Sequence, residues 1–330
     1  MNSNVIYSEH IRVHPTELYQ FSKVEYIVDT RRVKQSSLSN LNLNYSRTQL
    51  SEKSERKAKR AIKYMLFGTN YKKAYNSKFN STFKFKVNFI TLTLPSRQQH
   101  TTVELKDKLL NQFLIECKKK WRVENYIWKF EQQKNGNAHW HILTDQWIPY
   151  LELRNTWNRI TEKLGYITEF EKINHHRNPN TTDVHSLRKI KNVVGYVLKY
   201  MVKPDKKHHS TIKKTELNYQ YSTDYYKNTL SINTKRFLSR QAGRGRLWTC
   251  STQLSDLKGG EDELDNALTI EIERLKKKKG VQSKTNEHFT GVFYFDDTIN
   301  EREFPLLHKL LFTYVRKIFP HYQEQLIMNT

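Results

Sequence analysis

Three short runs in this 330-residue chain hold side chains whose types and spacing could do chemistry. The first is Ala138-His139-Trp140-His141-Ile142. On a strand, neighbours at i and i+2 share a face. His139 and His141 then point one way, and Trp140 and Ile142 point the other way, into a core. Two adjacent imidazoles are costly to bury neutral without partners, and costlier still when charged. A divalent metal supplies a reason for the pairing, because imidazole is a common ligand. Taken alone, a His-x-His is more often a pair of surface histidines. Upstream, Lys134-Asn135-Gly136-Asn137 reads as a hairpin turn. A turn centred on Asn135 sets position 131 opposite 139. Glu131 then joins the histidine face, while Trp128 and Phe130 join Trp140 and Ile142. Two imidazoles and a carboxylate leave metal positions open for substrate.

The second run is Asn192 to Lys203. On a helix, Asn192, Tyr196, Lys199, Tyr200 and Lys203 fall along one stripe, opposite Ile190, Val193, Val194, Val197, Leu198 and Met201. A phenol is a competent nucleophile toward phosphorus. Nearby ammonium groups lower its pKa and neutralise phosphate charge. A plain basic amphipathic helix would show the same stripe. The third run, Phe89-Ile90-Thr91-Leu92-Thr93-Leu94, is by itself a β-branched apolar strand. Its value lies in preceding the other two.

The elements that must position these runs follow from periodicity. Helical spacing predicts helices over 47–67, 102–121, 152–164 and 186–203, the last capped by Ser186 and followed by Pro204. Period-two alternation predicts strands over 83–94, 126–132 and 138–144, with short strands at 167–173 and 183–185. The expected fold class is therefore α+β, an antiparallel sheet of about five strands with flanking helices. Residues 1–80 read as an N-terminal extension, irregular to about 46 apart from a strand at 24–28. Residues 81–205 form the core, and 206–330 form a C-terminal extension. Within that extension, 254–285 reads as a charged exposed helix or linker, and 286–330 as one strand and one helix.

Composition narrows the partners. The chain has 57 Lys+Arg against 33 Asp+Glu, a net charge of +24, and 12% aromatic residues. That balance points to a polyanion, above all nucleic acid. Arg236, Arg240, Arg244 and Arg246 lie near two glycines, as in a loop that tracks phosphates. Trp248 and the tyrosines at 219, 221, 225 and 226 could stack on unpaired bases, although core packing is the commoner fate. Only Cys117 and Cys250 are present, which excludes a disulfide scaffold and a multi-cysteine zinc module. It suits a reducing compartment. No apolar run approaches the ~20 residues of a bilayer span, and the N-terminus has no apolar signal region. The expected location is the cytoplasm, away from membranes.

In order, Phe-Ile-Thr-Leu-Thr, Gly-Asn-Ala-His-Trp-His-Ile-Leu and Gly-Tyr-Val-Leu-Lys-Tyr-Met-Val-Lys resemble the three motifs of rolling-circle replication initiators. These are the HUH-superfamily endonucleases, and the third motif looks most like their two-tyrosine form from phages and plasmids. The resemblance implies an RRM-like endonuclease core in which His139, His141 and Glu131 bind Mg²⁺ or Mn²⁺. Ligand hardness alone favours Mn²⁺ for two imidazoles. It implies that Tyr196 attacks single-stranded origin DNA, leaving a 5′-phosphotyrosine and a free 3′-hydroxyl. Tyr200 would act as a second nucleophile that rejoins the strand, and Lys199 would position the phosphate or the tyrosine. Lys203 and the four arginines would hold DNA. No nucleotide is needed, because the phosphotyrosine conserves the bond energy. No Gly-x₄-Gly-Lys-[Ser/Thr] loop is present, so a host helicase and polymerase would complete the task. Other readings are an HUH transposase or relaxase, a non-enzymatic basic nucleic-acid-binding protein, and an unrelated His₂-carboxylate metalloenzyme. Relaxases usually place the tyrosine ahead of the histidines, the reverse of the order here.

Overall fold

Alternation between polar and apolar residues from 81 to 144 builds most of the sheet that carries the histidines. The computed structural model describes residues 5–26, 50, 52–76, 80–133, 135–187, 246–295 and 298–322. In chain order come β1 (Val5–His14), β2 (Glu17–Tyr26), α1 (Glu52–Gly68), β3 (Lys72–Asn76), β4 (Ser81–Phe85) and β5 (Val87–Thr93). Next are α2 (Thr102–Leu105), a π-helical turn (Lys106–Leu110), α3 (Asn111–Trp121), β6 (Tyr126–Gln132) and β7 (Ala138–Thr144). They are followed by α4 (Tyr150–Glu162), α5 (Tyr166–Asn174), β8 (Thr182–Leu187), β9 (Trp248–Cys250) and α6 (Thr252–Ser255). The last are β10 (Gly260–Glu263), α7 (Asn266–Lys276), β11 (Gln282–Thr285), β12 (Phe289–Phe293) and α8 (Pro305–Ile318). Among the described residues, no helix is long and apolar enough to cross a membrane.

The chain divides into two compact units. The histidine unit comprises 44–62 and 71–255, and the flanking unit comprises 1–43, 63–70 and 256–330. Each contains a five-stranded antiparallel sheet with helices, so the α+β expectation holds.

In the histidine unit the strand order is β8-β5-β7-β6-β9, which puts β7 at the centre. One sheet face is apolar and packs against helices. Ile90, Leu92, Trp128, Trp140 and Ile142 meet Leu105, Leu109, Phe113, Trp157 and Ile160 in one core. Trp140 and Trp157 are both fully buried, their rings 5.8 Å apart in edge geometry. Thr101 and Glu104 form a capping box that starts the helical run through α2, the π turn and α3. That run spans the expected 102–121.

Three differences from the sequence reading have physical causes. Residues 166–174 are helical, not a strand. The Glu162 carboxylate accepts the free N–H groups of Ile167 and Thr168 at 3.1 and 3.0 Å, and so caps α5 from outside the segment. Ser186 belongs to β8, opposite Asn88, so the chain is still extended where the helix was expected to start. The rest of the helix expected at 186–203 lies outside the described residues, with Tyr196, Lys199, Tyr200 and Lys203. Arg236, Arg240 and Arg244 lie outside them too. Finally, the N-terminal segment is a long hairpin, β1 with β2, turning at Pro15-Thr16. Ile11, Val13 and Leu18 alternate into the core of the flanking unit.

In the flanking unit the strand order is β10-β1-β2-β12-β11. The acidic run at 261–263 is an edge strand rather than a linker, and Glu261 pairs with Arg12 and Lys23. Charges on an edge strand discourage pairing with another chain. Leu268, Ile272 and Leu275 form the buried stripe of α7. The last segment supplies the expected strand and helix, β12 and α8.

Lys106 offers a test of the helix–sheet layer. It sits in the π turn, donates to the Arg246 carbonyl at 2.6 Å, and lies 4.7 Å from the Phe130 ring centre. Burial lowers its pKa to about 8, against a small opposing pull from Asp107. An unfolded lysine titrates near 10.4, so the unfolded chain binds more protons from about pH 8 to 10. The wild type therefore gains stability as pH rises through that window. Lys106→Met lacks the gain. Urea midpoints should show its stability relative to wild type falling between pH 7 and pH 10. Parallel curves would contradict the buried-lysine assignment.

Candidate functional site

The site is built on β7 and its neighbours. Glu131 lies directly opposite His139, and Lys129 directly opposite His141. That is the register expected from the turn at Asn135. Five residues stand in line across the five strands: Asp183, Thr91, His141, Lys129 and Trp248. The adjacent row holds Thr93, His139 and Glu131.

Both ends of the β6–β7 hairpin are pinned by buried polar side chains. At the turn, Asn137 accepts the Gln98 N–H at 2.9 Å and donates to the Ser96 carbonyl at 2.9 Å. Gln98 returns the contact by accepting the Ala138 N–H at 2.8 Å. At the other end, the Asp145 carboxylate accepts the N–H groups of Glu124 and Asn125 at 3.2 and 3.0 Å. Burial raises the Asp145 pKa, while Lys72 and the Asn125 bonds oppose that rise.

The side chains meet closely. The His139 and His141 rings are 4.6 Å apart and nearly perpendicular. His141 is buried, stacked on Phe89 at 5.3 Å, with Nδ1 3.3 Å from the Thr91 hydroxyl and Nε2 3.4 Å from Glu131 Oε2. Thr91 can donate or accept, so it supports either imidazole tautomer. His139 Nδ1 is 3.3 Å from Gln133 Nε2. Burial, then the neighbouring His141, pushes the His139 pKa down to about 4, against the pull of Glu131. Burial alone would raise Glu131, but the His141 bond and the Lys129 charge carry its pKa down to about 2. At neutral pH this gives a neutral imidazole and an ionised carboxylate, the protonation states that metal ligands need.

The donor types therefore fit a divalent ion. As they stand, though, no three His, Cys, Asp or Glu side chains among the described residues form a cluster around a common metal position. Lys129 Nζ sits 2.6 Å from Glu131 Oε1 and neutralises the carboxylate. A cation at this site would take over that role of Lys129.

The places of two contributors are not apparent from the sequence. Trp248 falls within the C-terminal extension, yet β9 pairs with β6 and sets Trp248 opposite Lys129 on the histidine face. Its indole donates to the Ser54 hydroxyl at 2.6 Å. Asn137 reads only as part of the turn signal, although it stands in the Gly-Asn-Ala-His string. Asp183 and His185 sit on the same face at the edge strand, exposed and 2.7 Å apart. Arg246 has an exposed side chain, and its carbonyl holds Lys106.

The electrostatic asymmetry between the units is complete. The histidine unit contains 40 Lys+Arg and 16 Asp+Glu, whereas the flanking unit contains 17 of each. The entire net charge of +24 belongs to the unit with the histidines.

Residues 87–205 match the family model of the replication-associated protein ORF2 group. The matched segment is just over a third of the chain, and it contains β5, the histidine hairpin and the positions of Tyr196 and Tyr200. No curated protein and no solved structure gives a significant match. The matched family is a replication-associated one.

Asn137 is the clearest single test of how the hairpin is held. Asn137→Ala leaves the Gln98 N–H and the Ser96 carbonyl without their partner. It should cost about 1–3 kcal/mol in denaturant unfolding. An unchanged midpoint would show that the turn is held by other contacts.

Proposed function

We propose that the protein is an HUH-type replication initiator that nicks and rejoins single-stranded DNA at a replication origin. The observation that carries this reading is the set of His139, His141 and Glu131 on the central strand and its hairpin partner. It lies within the segment that matches a replication-associated family and in the unit that bears all the net charge.

In this reading His139, His141 and Glu131 hold a divalent metal, Mg²⁺ or Mn²⁺. When bound, such an ion would supply positive charge to stabilise the phosphate under attack. Thr91 orients His141, and the depressed pKa values of His139 and Glu131 keep both ready as ligands. The Tyr196 oxygen attacks phosphorus, an Oη–P bond forms, and the P–O3′ bond breaks. The 3′ oxygen takes up a proton and becomes the hydroxyl that a polymerase extends. The 5′ phosphate stays on Tyr196. Lys199 holds the phosphate or favours the phenolate through its charge. Tyr200 attacks the regenerated origin phosphate in the same way, forming an Oη–P bond as the P–O3′ bond breaks, and the 3′-hydroxyl so released displaces the Tyr196 phenol from its 5′ phosphate, which rejoins the strand. No nucleotide cofactor enters, since each step exchanges one phosphodiester for another. Lys203, Arg236, Arg240, Arg244 and Arg246 contact the DNA backbone. Unwinding and synthesis come from a host helicase and polymerase.

A covalent-adduct experiment tests this. Single-stranded fragments tiling the protein's own replicon are incubated with full-length protein and Mn²⁺, then run on a denaturing gel. The expected result is an adduct that EDTA abolishes and that Tyr196→Phe loses or strongly reduces. The Tyr196→Phe/Tyr200→Phe double variant should form none. Adducts that persist in the double variant would refute the tyrosine mechanism. Absence of any adduct despite DNA binding would leave a non-enzymatic binding protein.

A further inference from the structure

The two-stranded sheet of β3 and β4 lies outside the catalytic reading. It is an antiparallel ribbon in the histidine unit, joined to β5 through Lys86 alone. One face is anchored. Phe83 and Phe85 pack on Trp147 with ring centres 4.9 and 6.0 Å apart, and Lys72 Nζ donates to the Asp145 carbonyl at 2.9 Å. The opposite face carries Lys73, Tyr75, Thr82 and Lys84, all exposed. Tyr75 keeps 58% of its surface accessible. Lys73 and Lys84 are directly paired across the strands, and Tyr75 is paired with Thr82 beside them.

This pattern is unfavourable for the ribbon by itself. Like charges directly opposite on a strand pair destabilise it. Nothing local compensates, because residues 71–86 include five lysines and no Asp or Glu. Among the described residues, neither Lys73 nor Lys84 has an acidic partner. An external anion would resolve the repulsion. An exposed aromatic ring beside paired ammonium groups matches a stacked base with its phosphates. The Tyr75 hydroxyl bonds Asn80 Oδ1 at 2.5 Å, which restrains the ring.

We propose that the outer face of the β3–β4 ribbon is a docking surface for single-stranded DNA. Lys73 and Lys84 contact phosphates, and Tyr75 stacks on a base. The proposal rests on single-stranded DNA being the substrate. It adds a binding surface separate from the three motifs. The ribbon leads through a bend at Lys86 into β5, where Thr91 faces His141, so it can retain the strand on which the site acts.

The test is fluorescence anisotropy of full-length protein with a labelled oligodeoxythymidylate in EDTA, across a salt series. Lys73→Ala/Lys84→Ala should weaken binding about tenfold and flatten the log–log salt slope by about 1.4, or ~0.7 per lost single-strand contact. Tyr75→Ala should weaken it about fivefold or more, while Tyr75→Phe stays within about twofold. Lys73→Arg/Lys84→Arg should bind as wild type does. Equal affinity and slope in the alanine variants overturns the proposal. Loss in the lysine variant with none in Tyr75→Ala overturns it as well, leaving simple backbone attraction. These outcomes differ from failure of the nicking reading, in which the oligonucleotide binds normally but no adduct forms.

Discussion

The pairing of β6 with β7 is the constraint on which the site depends. Strand side chains alternate, so a slip of one residue would reverse both faces. His139 and His141 would enter the core, and Trp140 would turn outward. The apolar face prevents this. Trp128, Trp140 and Ile142 are buried against α3 and α4, and each large side chain contributes roughly 1.5–3 kcal/mol by burial. The hydrophobic core thereby sets the positions of the polar residues on the other side. Asn137 at the turn and Asp145 at the far end hold the same register with buried hydrogen bonds. Within that frame, burial keeps the His139 imidazole neutral, while the His141 bond and the Lys129 charge keep Glu131 ionised.

Charge is distributed unequally between the two units. The flanking unit is electrically balanced, and among its described residues Arg12 and Lys23 both pair with Glu261. The histidine unit holds the full excess of lysine and arginine. Such an excess opposes compaction by self-repulsion and favours association with a polyanion. In chemical terms, the unit that gathers metal-type donors is also the one that attracts phosphate. The match of residues 87–205 to a replication-associated family falls in this unit.

Much of this is legible in the sequence because period-two patterns report sheet faces directly. His139, His141, Trp140 and Ile142 declare two faces, and Asn135-Gly136 sets the hairpin, so the position of Glu131 follows. What the sequence hides depends on distant partners. Helix α5 reads as a strand because its cap comes from Glu162. Strand β9 is only three residues long and pairs with β6, more than a hundred residues upstream, so no local pattern announces it. The acidic run of β10 reads as linker until Arg12 and Lys23 are seen beside it. Lys129 is another such case. Its place opposite His141 is a matter of register, but its ion pair with Glu131 depends on how the two side chains pack along the strand.

The central claim is that His139, His141 and Glu131 act as one set of metal ligands. Electron paramagnetic resonance of Mn²⁺ titrated into metal-free full-length protein tests it most directly. The account predicts loss of the free-ion signal at one equivalent per chain, and no such uptake in a folded His139→Ala/His141→Ala variant. Uptake that is unchanged in that variant, or absent from the wild type, would contradict the account.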